Sequence, residues 1–275
     1  MVDETSYTLR CGPKLSQKFV FLTFFIYIHI MKIVCISDTH SLHKKMEKYG
    51  KLPDGDVLVH TGDCTNVGKP HEVTEFVHWF QNIEGFDTKI FIAGNHDWAF
   101  ENYRYPHNKG DYDWYHNLMS EENLSQSDVV YLEDSGFTIE SPEFSRPIKF
   151  WGSPWQPEFY NWAFNLPRMG EELEKYWSMI PDDTDVLLTH SPPNNIRDFT
   201  PTNISVGCEL LRVRVNQVKP LLHVFGHIHH SHGAVLKDNT MFVNAAICNE
   251  QYVPSNKPIV IELKEYDGEI ITTYV

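Results

Sequence analysis

The chain is short of basic side chains: among 275 residues, 23 Lys and Arg stand against 37 Asp and Glu, for a formal charge of −14. Long nucleic acids are held chiefly by Lys and Arg that neutralise successive phosphates, so this balance argues against a polyanion as partner. A small phosphate ester stays compatible with it, because bound divalent cations reverse the field where they sit. A disulfide framework is missing as well. The five cysteines, Cys11, Cys35, Cys64, Cys208 and Cys248, are odd in number and form no C-x-x-C pair, which points to a reducing compartment, the cytosol. Nor is there a hydrophobic run long enough for a membrane-spanning helix. The most apolar stretch, Phe19–Ile30 (FVFLTFFIYIHI), has twelve residues where about 20 are needed. It follows Lys14 and Lys18, but no small-x-small cleavage site comes after it. Three readings stand for it: a signal-like or membrane-associating segment, an extra strand or packed extension, or sequence upstream of a true start at Met31. Internal repeats and low-complexity linkers are absent. Residues 1–31 are therefore read as an apolar extension and 32–275 as one domain.

From Lys32 onward, short apolar runs alternate with amphipathic ones. Strands are predicted at Lys32–Ser37, Asp56–His60, Lys89–Ala93, Ile148–Trp151, Asp185–Thr189 and Leu221–Phe225. They are β-branched or aromatic and lack clean alternation, as befits strands covered on both faces. Helices are predicted at Ser41–Tyr49, Pro70–Asn82, Glu171–Met179 and Val206–Gln217, with Pro70 suited to a first helical turn. Ala234–Lys237, Thr240–Asn244, Ile259–Leu263 and Ile270–Tyr274 read as a strand meander turned at Asp238-Asn239 and Asp267-Gly268. Glu101–Asp128 reads as an elaborate loop containing a short helix. Strands alternating with helices, then a meander, suggest an α/β sandwich with two sheets.

Five of the strands run directly into metal-ligand types. They lead into Asp38-Thr39-His40, Thr61-Gly62-Asp63, Gly94-Asn95-His96-Asp97, His190-Ser191-Pro192 and Gly226-His227-Ile228-His229. The carboxyl ends of strands in an α/β sheet open onto the ligand crevice, so these polar ends are expected to converge. Carboxylate, amide and imidazole together suit divalent ions such as Mn²⁺, Fe²⁺ and Zn²⁺. The donors are too many for one ion and about right for two sharing a carboxylate. Such a pair binds both the attacking and the leaving oxygen of a displacement at phosphorus, and lowers the pKa of a water between the ions.

D-x-H, G-D, G-N-H-[DE], a lone His and G-H-x-H, in this order, resemble the signature of the calcineurin-like metallophosphoesterase superfamily. The resemblance spans roughly Met31 to Val275. Phe150–Leu166 (FWGSPWQPEFYNWAFNL) with Leu221–His229 further resembles its metallophosphoesterase-domain proteins, whose animal members are linked to cyclic-nucleotide phosphodiesterase activity. The resemblance implies a four-layer α/β/β/α sandwich and a hydrolase with two divalent ions, Mn²⁺ favoured. It implies one ion on Asp38, His40 and His229 and the other on Asn95, His190 and His227, with Asp63 bridging. Some of these proteins lack the first His of G-H-x-H; this chain keeps it as His227. His96 is implied to face the leaving-group oxygen as general acid or stabiliser, so His96, Asp63 and Asn95 are the catalytic candidates. A small phosphodiester or nucleotide is the expected substrate and a phosphomonoester the rival. A low-activity nucleotide-binding module is the reading from another class.

One position departs from the common pattern. Many relatives carry G-D-x-x-D, whose second Asp orients the catalytic histidine; here the place is held by Asn66. An amide oxygen can accept an imidazole N–H but carries no charge, so a weaker acid and a preference for good leaving groups are expected. Asn66, Trp155 and His43 are the candidate substrate contacts, Trp155 as a stacking surface in an aromatic segment with Trp151, Phe159, Trp162 and Phe164. Arg168 and Arg197 are candidate phosphate anchors. His43, His230 and His232 lie near the ligands in sequence, either against phosphate or in solvated loops. His60 and His223 read as core histidines, and Asp97 as a cap or backbone acceptor.

Overall fold

Successive residues of strand β1 (His29–Ile36) enter different cores. Met31, Ile33 and Cys35 pack in one apolar cluster while Val34 and Ile36 pack in another, which is why residues 33–36 are all apolar. The structure, a computed structural model, describes residues 29–46, 48, 52–101, 115 and 117–275.

Two six-stranded sheets result. The first has the order β14-β13-β1-β2-β3-β4, with β2 at Val57–Thr61, β3 at Thr88–Ile92, β4 at Val129–Tyr131, β13 at Ile259–Tyr266 and β14 at Glu269–Tyr274. The second has the order β11-β12-β10-β9-β6-β5, with β5 at Ser135–Ile139, β6 at Ile148–Ser153, β9 at Val186–Thr189, β10 at Leu222–Phe225, β11 at Gly233–Lys237 and β12 at Thr240–Asn244. A small pair, β7 (Gln156–Pro157) and β8 (Asn165–Leu166), lies apart from both. In the first sheet β1, β2, β3 and β4 are parallel, and in the second β6, β9, β10 and β12 are parallel. Each set therefore delivers its carboxyl ends to one edge.

Between the sheets, Ile33, Val59 and Ile92 of the first meet Phe150, Leu188, Val224 and Val243 of the second. The opposite faces carry the helices. Helix α1 is His43–Met46, α2 is Pro70–Gln81, α3 is Glu121–Ser125, α4 is Glu171–Ser178 and α5 is Glu209–Val218. Phe76 and Phe80 of α2 pack edge-on against Phe91 of β3 at 5.3 and 5.6 Å. Leu173 and Trp177 of α4 and Leu211 and Val215 of α5 are buried with Leu187 and Phe225 of the second sheet. This is the expected α/β/β/α layering, and its mixed α/β class with two large sheets is borne out.

Three expectations need correction. The C-terminal strands are not one meander: β11 and β12 pair in the second sheet and β13 and β14 in the first. Turn residues mark where the chain reverses and are silent on which sheet receives the next strand. Second, β1 begins at His29, which pairs with Glu265, so the strand reaches upstream of the boundary placed at Lys32. The rest of the expected extension, with half of Glu101–Asp128, lies outside the described residues; α3 supplies the short helix expected there. Third, the strands β4 and β5 were not anticipated. No helix among the described residues is long and apolar enough to cross a membrane.

His60 and His223 are buried within β2 and β10, as core histidines. Thr189 Oγ1 donates to the Ser191 carbonyl at 2.8 Å, so at 2.9 Å it accepts from His223 Nε2–H. Burial pushes both rings from 6.5 down to about 3. Unfolded, each takes up a proton near pH 6.5; folded, each stays neutral to far lower pH. The unfolded chain therefore binds more protons throughout that window. Their contribution to stability is complete above pH 6.5 and falls with pH by about 1.4 kcal/mol per unit per ring. Thermal unfolding is expected to show a midpoint that drops from pH 6.5 toward pH 4. In His223→Gln, which keeps a donor for Thr189, the acid slope should be shallower; an unchanged slope would assign the acid limb to other groups.

Candidate metal centre

The parallel strand ends bring the donors to the joint between the two sheets. Asp38 and His40 follow β1, Asp63 follows β2 and Asn95 follows β3, while His190 follows β9 and His227 and His229 follow β10. Backbone bonds lock these loops together: Asp38 N donates to Gly62 O at 2.9 Å, His40 N to Asp63 O at 2.9 Å, and Gly226 N to His190 O at 3.0 Å. Four of these residues hold left-handed backbone, Asp38 at φ 51°, His40 at 42°, Asp63 at 53° and His227 at 64°. That conformation is uncommon outside glycine, and it turns each side chain out of the strand direction toward the centre.

Among the described residues, His and Asp donor atoms within 4.8 Å of one another form three groups: Asp38, His40 and His229; Asp63, His190 and His227; and His40, Asp63 and His96. The first two groups are the two sets read from the sequence, short only of Asn95, whose Oδ1 is 2.9 Å from His190 Nε2. Asp63 reaches both, with Oδ2 at 3.4 Å from His190 Nε2 and 3.8 Å from His40 Nε2.

The hydrogen bonds say why a cation fits. His190 Nδ1 donates to the Thr61 carbonyl at 2.9 Å and His229 Nδ1 to the Asn249 carbonyl at 3.0 Å. A ring bonded this way presents a lone pair at Nε2, the form a metal ligand needs. Yet His229 Nε2 faces His40 Nε2 at 3.2 Å and Asp38 Oδ1 at 3.2 Å. His190 Nε2 likewise faces two oxygens. Buried acceptors pointed at acceptors are satisfied by positive charge. Without a cation, protons take that place: burial opposes protonation of His190, but the Asp63 carboxylate outweighs it and lifts the ring to about 9. Burial pushes His40 down to about 4 and His227 to about 3, so both rings stay neutral, the form that can ligate a cation. Burial also opposes the charge on Asp38 and Asp63, yet the bond and charge of His229 hold Asp38 well below the usual range, and His190 and His96 do so for Asp63. The arrangement fits a dinuclear divalent metal site.

A calcineurin-like phosphoesterase family model matches residues 31–231. The chain belongs to this family. Metallophosphoesterase domain-containing protein 1 of Homo sapiens is 40% identical over 242 residues, covering 84% of this chain and 71% of that protein. The Mus musculus protein of that name matches to the same extent. UPF0046 protein K07C11.7 of Caenorhabditis elegans is 36% identical over 232 residues, covering 84% and 74%. Among solved structures, one superposes with a TM-score of 0.52 at 13% identity, covering 89% of this chain and 99% of its own, which speaks for the fold alone. Both the superfamily and the likeness to the metallophosphoesterase-domain proteins are thus borne out, and this phosphoesterase is a phosphoester hydrolase by family.

The remaining sequence candidates divide. His96 lies at the centre, with its N–H donating to Asp63 Oδ1 at 2.8 Å and its ring 4.7 Å from that of His40. Its Nδ1 donates to the backbone carbonyl of Asn66 at 2.6 Å, while the Asn66 side chain bonds Glu72. The expected amide partner is therefore replaced by a peptide oxygen. Asp97 is a backbone acceptor, as read: its carboxylate takes the N–H of Cys64, Thr65 and Gly94 at 3.2, 2.9 and 2.8 Å.

Trp155 is not a stacking surface for substrate. It is buried against Tyr176 of α4 at 4.2 Å and donates to Asp134 at 2.7 Å. His43 is equally withdrawn, buried on α1 against Trp79 at 4.7 Å. Arg168 is tied to Gly207 O, Val206 O and Glu209, and Arg197 to Ala234 O, so neither guanidinium is set toward the centre as a phosphate anchor. His232 bonds the Lys257 carbonyl, while His230 pairs with Glu250 at 2.6 Å beside the centre.

A cleft of roughly 240 Å³ opens over the donors, bordered by Asp63, Asn95, His96, His227 and His229 and by Phe159, Tyr252, His230 and Glu250. Tyr252 stands 4.8 Å from the His40 ring and 5.4 Å from that of His229, and Phe159 stands 5.9 Å from that of His227. Tyr252 and Glu250 were missed, since no motif marks the segment between β12 and β13.

Proposed function

We propose that this phosphoesterase is a phosphodiesterase of small substrates, with cyclic nucleotides first among them. The supporting observation is the make-up of the cleft. Beside the donors it offers the rings of Phe159 and Tyr252 for the organic part of an ester, and the Glu250 carboxylate, which disfavours a second negative charge. A diester carries one charge where a monoester carries up to two.

In this reading Asp38, His40 and His229 hold one ion, Asn95, His190 and His227 the other, and Asp63 is shared. When bound, two divalent ions, Mn²⁺ favoured, supply charge for the phosphoryl oxygens and a nucleophile at neutral pH. The peptide oxygen of Asn66 keeps Nδ1 of His96 protonated, leaving Nε2 to stabilise or protonate the leaving oxygen. The cytosol suits the free buried cysteines Cys35, Cys64, Cys208 and Cys248.

The test is hydrolysis of bis(p-nitrophenyl) phosphate beside p-nitrophenyl phosphate with Mn²⁺. The diester should be preferred, and Glu250→Gln should narrow the preference by about 3- to 10-fold, the size of one screened charge at close range. Turnover of neither ester with two ions bound would reject catalysis and leave a nucleotide-binding module.

A further inference from the structure

The ring of His96 is packed as well as bonded. Trp162 lies parallel to it, with centroids 4.1 Å apart and planes at 24°. The next residue fixes that tryptophan in place: Ala163 N donates to Asn95 O at 3.0 Å, joining the segment between β7 and β8 to the residue before His96. The ring of Trp98 lies 6.5 Å from that of Trp162. The edge contact with His40 and the bond from Nδ1 to Asn66 O complete the enclosure.

A single hydrogen bond to a peptide oxygen leaves an imidazole free to swing about the N–H···O direction. A flat surface laid against the ring removes that freedom, because swinging drives the ring into the indole. We propose that Trp162 is the positioning residue for His96, holding its Nε2 toward the cleft in a chain that has Asn66, and no carboxylate, at the orienting place. The inference rests on the hydrolase reading and adds a component to it. Trp162 touches His96 and not the reacting atoms, so its effect should appear where the acid matters, in departure of a poor leaving group.

The experiment compares wild type, Trp162→Ala and Trp162→Phe, each loaded with Mn²⁺. Diesters with p-nitrophenolate and with alkoxide leaving groups are used and bound metal is measured, and the His96 ring-proton NMR shifts are recorded on the same proteins loaded with diamagnetic Zn²⁺. For Trp162→Ala, metal content and KM should hold, kcat on the alkoxide ester should fall about 10- to 100-fold, and kcat on the nitrophenyl ester should change little. The ring protons, shielded by the indole in wild type, should move downfield, and Trp162→Phe should restore most of the loss. Should Trp162→Ala fail to fold, Trp162→Leu keeps bulk without a flat face and gives the same reading. Equal losses on both esters, a change in KM alone, or unchanged ring shifts would overturn the inference. A wild type inactive on every ester would instead remove the hydrolase reading beneath it.

Discussion

Asp63→Asn is expected to lower turnover at least about 10³-fold and to reduce the bound metal below two ions per chain, with the fold intact. The two carboxylate oxygens have separate tasks. Oδ1 accepts the His96 N–H at 2.8 Å, and Oδ2 faces His190 and His40. Asparagine keeps the first acceptor, tolerates left-handed backbone at φ 53° about as well as aspartate, and places an NH₂ where Oδ2 was. A donor at that point would repel the two cations that Asp63 is proposed to bridge. Metal analysis by mass spectrometry, diester turnover and the rise in Tm on adding Mn²⁺ all read the same event. The Tm without metal should fall by a few degrees, because Asp63 and protonated His190 form a buried pair and the variant removes one member of it. A variant that kept two ions and wild-type turnover would show that the bridge lies elsewhere.

Gly226→Ala should be strongly damaging. A Cβ there would collide with the Asp38 carboxylate and with the side chain of Ser37. Neither can retreat: both are buried at the end of β1, and His227 N donates to both Asp38 oxygens at 3.0 Å. The ends of β1 and β10 would have to part, at the line where the two sheets meet over the donors. Overpacking of this kind costs about 3 kcal/mol, which in a chain of this size lowers Tm by about 6–12 °C. Binding at Asp38, His40 and His229 should be lost as well. Thermal unfolding with and without Mn²⁺ checks both parts; a Tm within a degree of wild type would mean the strand ends separate freely.

The donors were legible because their chemistry and their place coincide: each stands where a short apolar run stops, and parallel strands stop at one edge. The two-sheet architecture followed from the same runs, since strands apolar at every position must be covered twice. What the sequence withheld depended on distant partners. Trp155 and Trp162 sit in one aromatic segment, and distant partners sort them: Tyr176 on α4 and Asp134 hold Trp155 inward, while Trp162 meets His96. Arg168 has the chemistry of a phosphate anchor, but carbonyls of the Val206–Gly207 turn claim it. Asn66 occupies the orienting place, and the atom it contributes is one every residue possesses. β5 alternates half-buried and exposed positions and contains Gly136, a pattern too weak to stand out from loop.

The left-handed backbone at Asp38, His40, Asp63 and His227 gives this centre an asymmetric fate under random mutation. Each of those residues is held against its own conformational preference at a cost of about 1–2 kcal/mol, and glycine accepts the same φ without that cost. Replacement of one of these donors by glycine thus relieves the chain locally even as it removes the chemistry, while the sandwich beneath, built from apolar strands, is untouched. A lineage released from selection for hydrolysis would lose its ions well before its shape. Such a descendant would persist as a stable, inert copy of the same architecture.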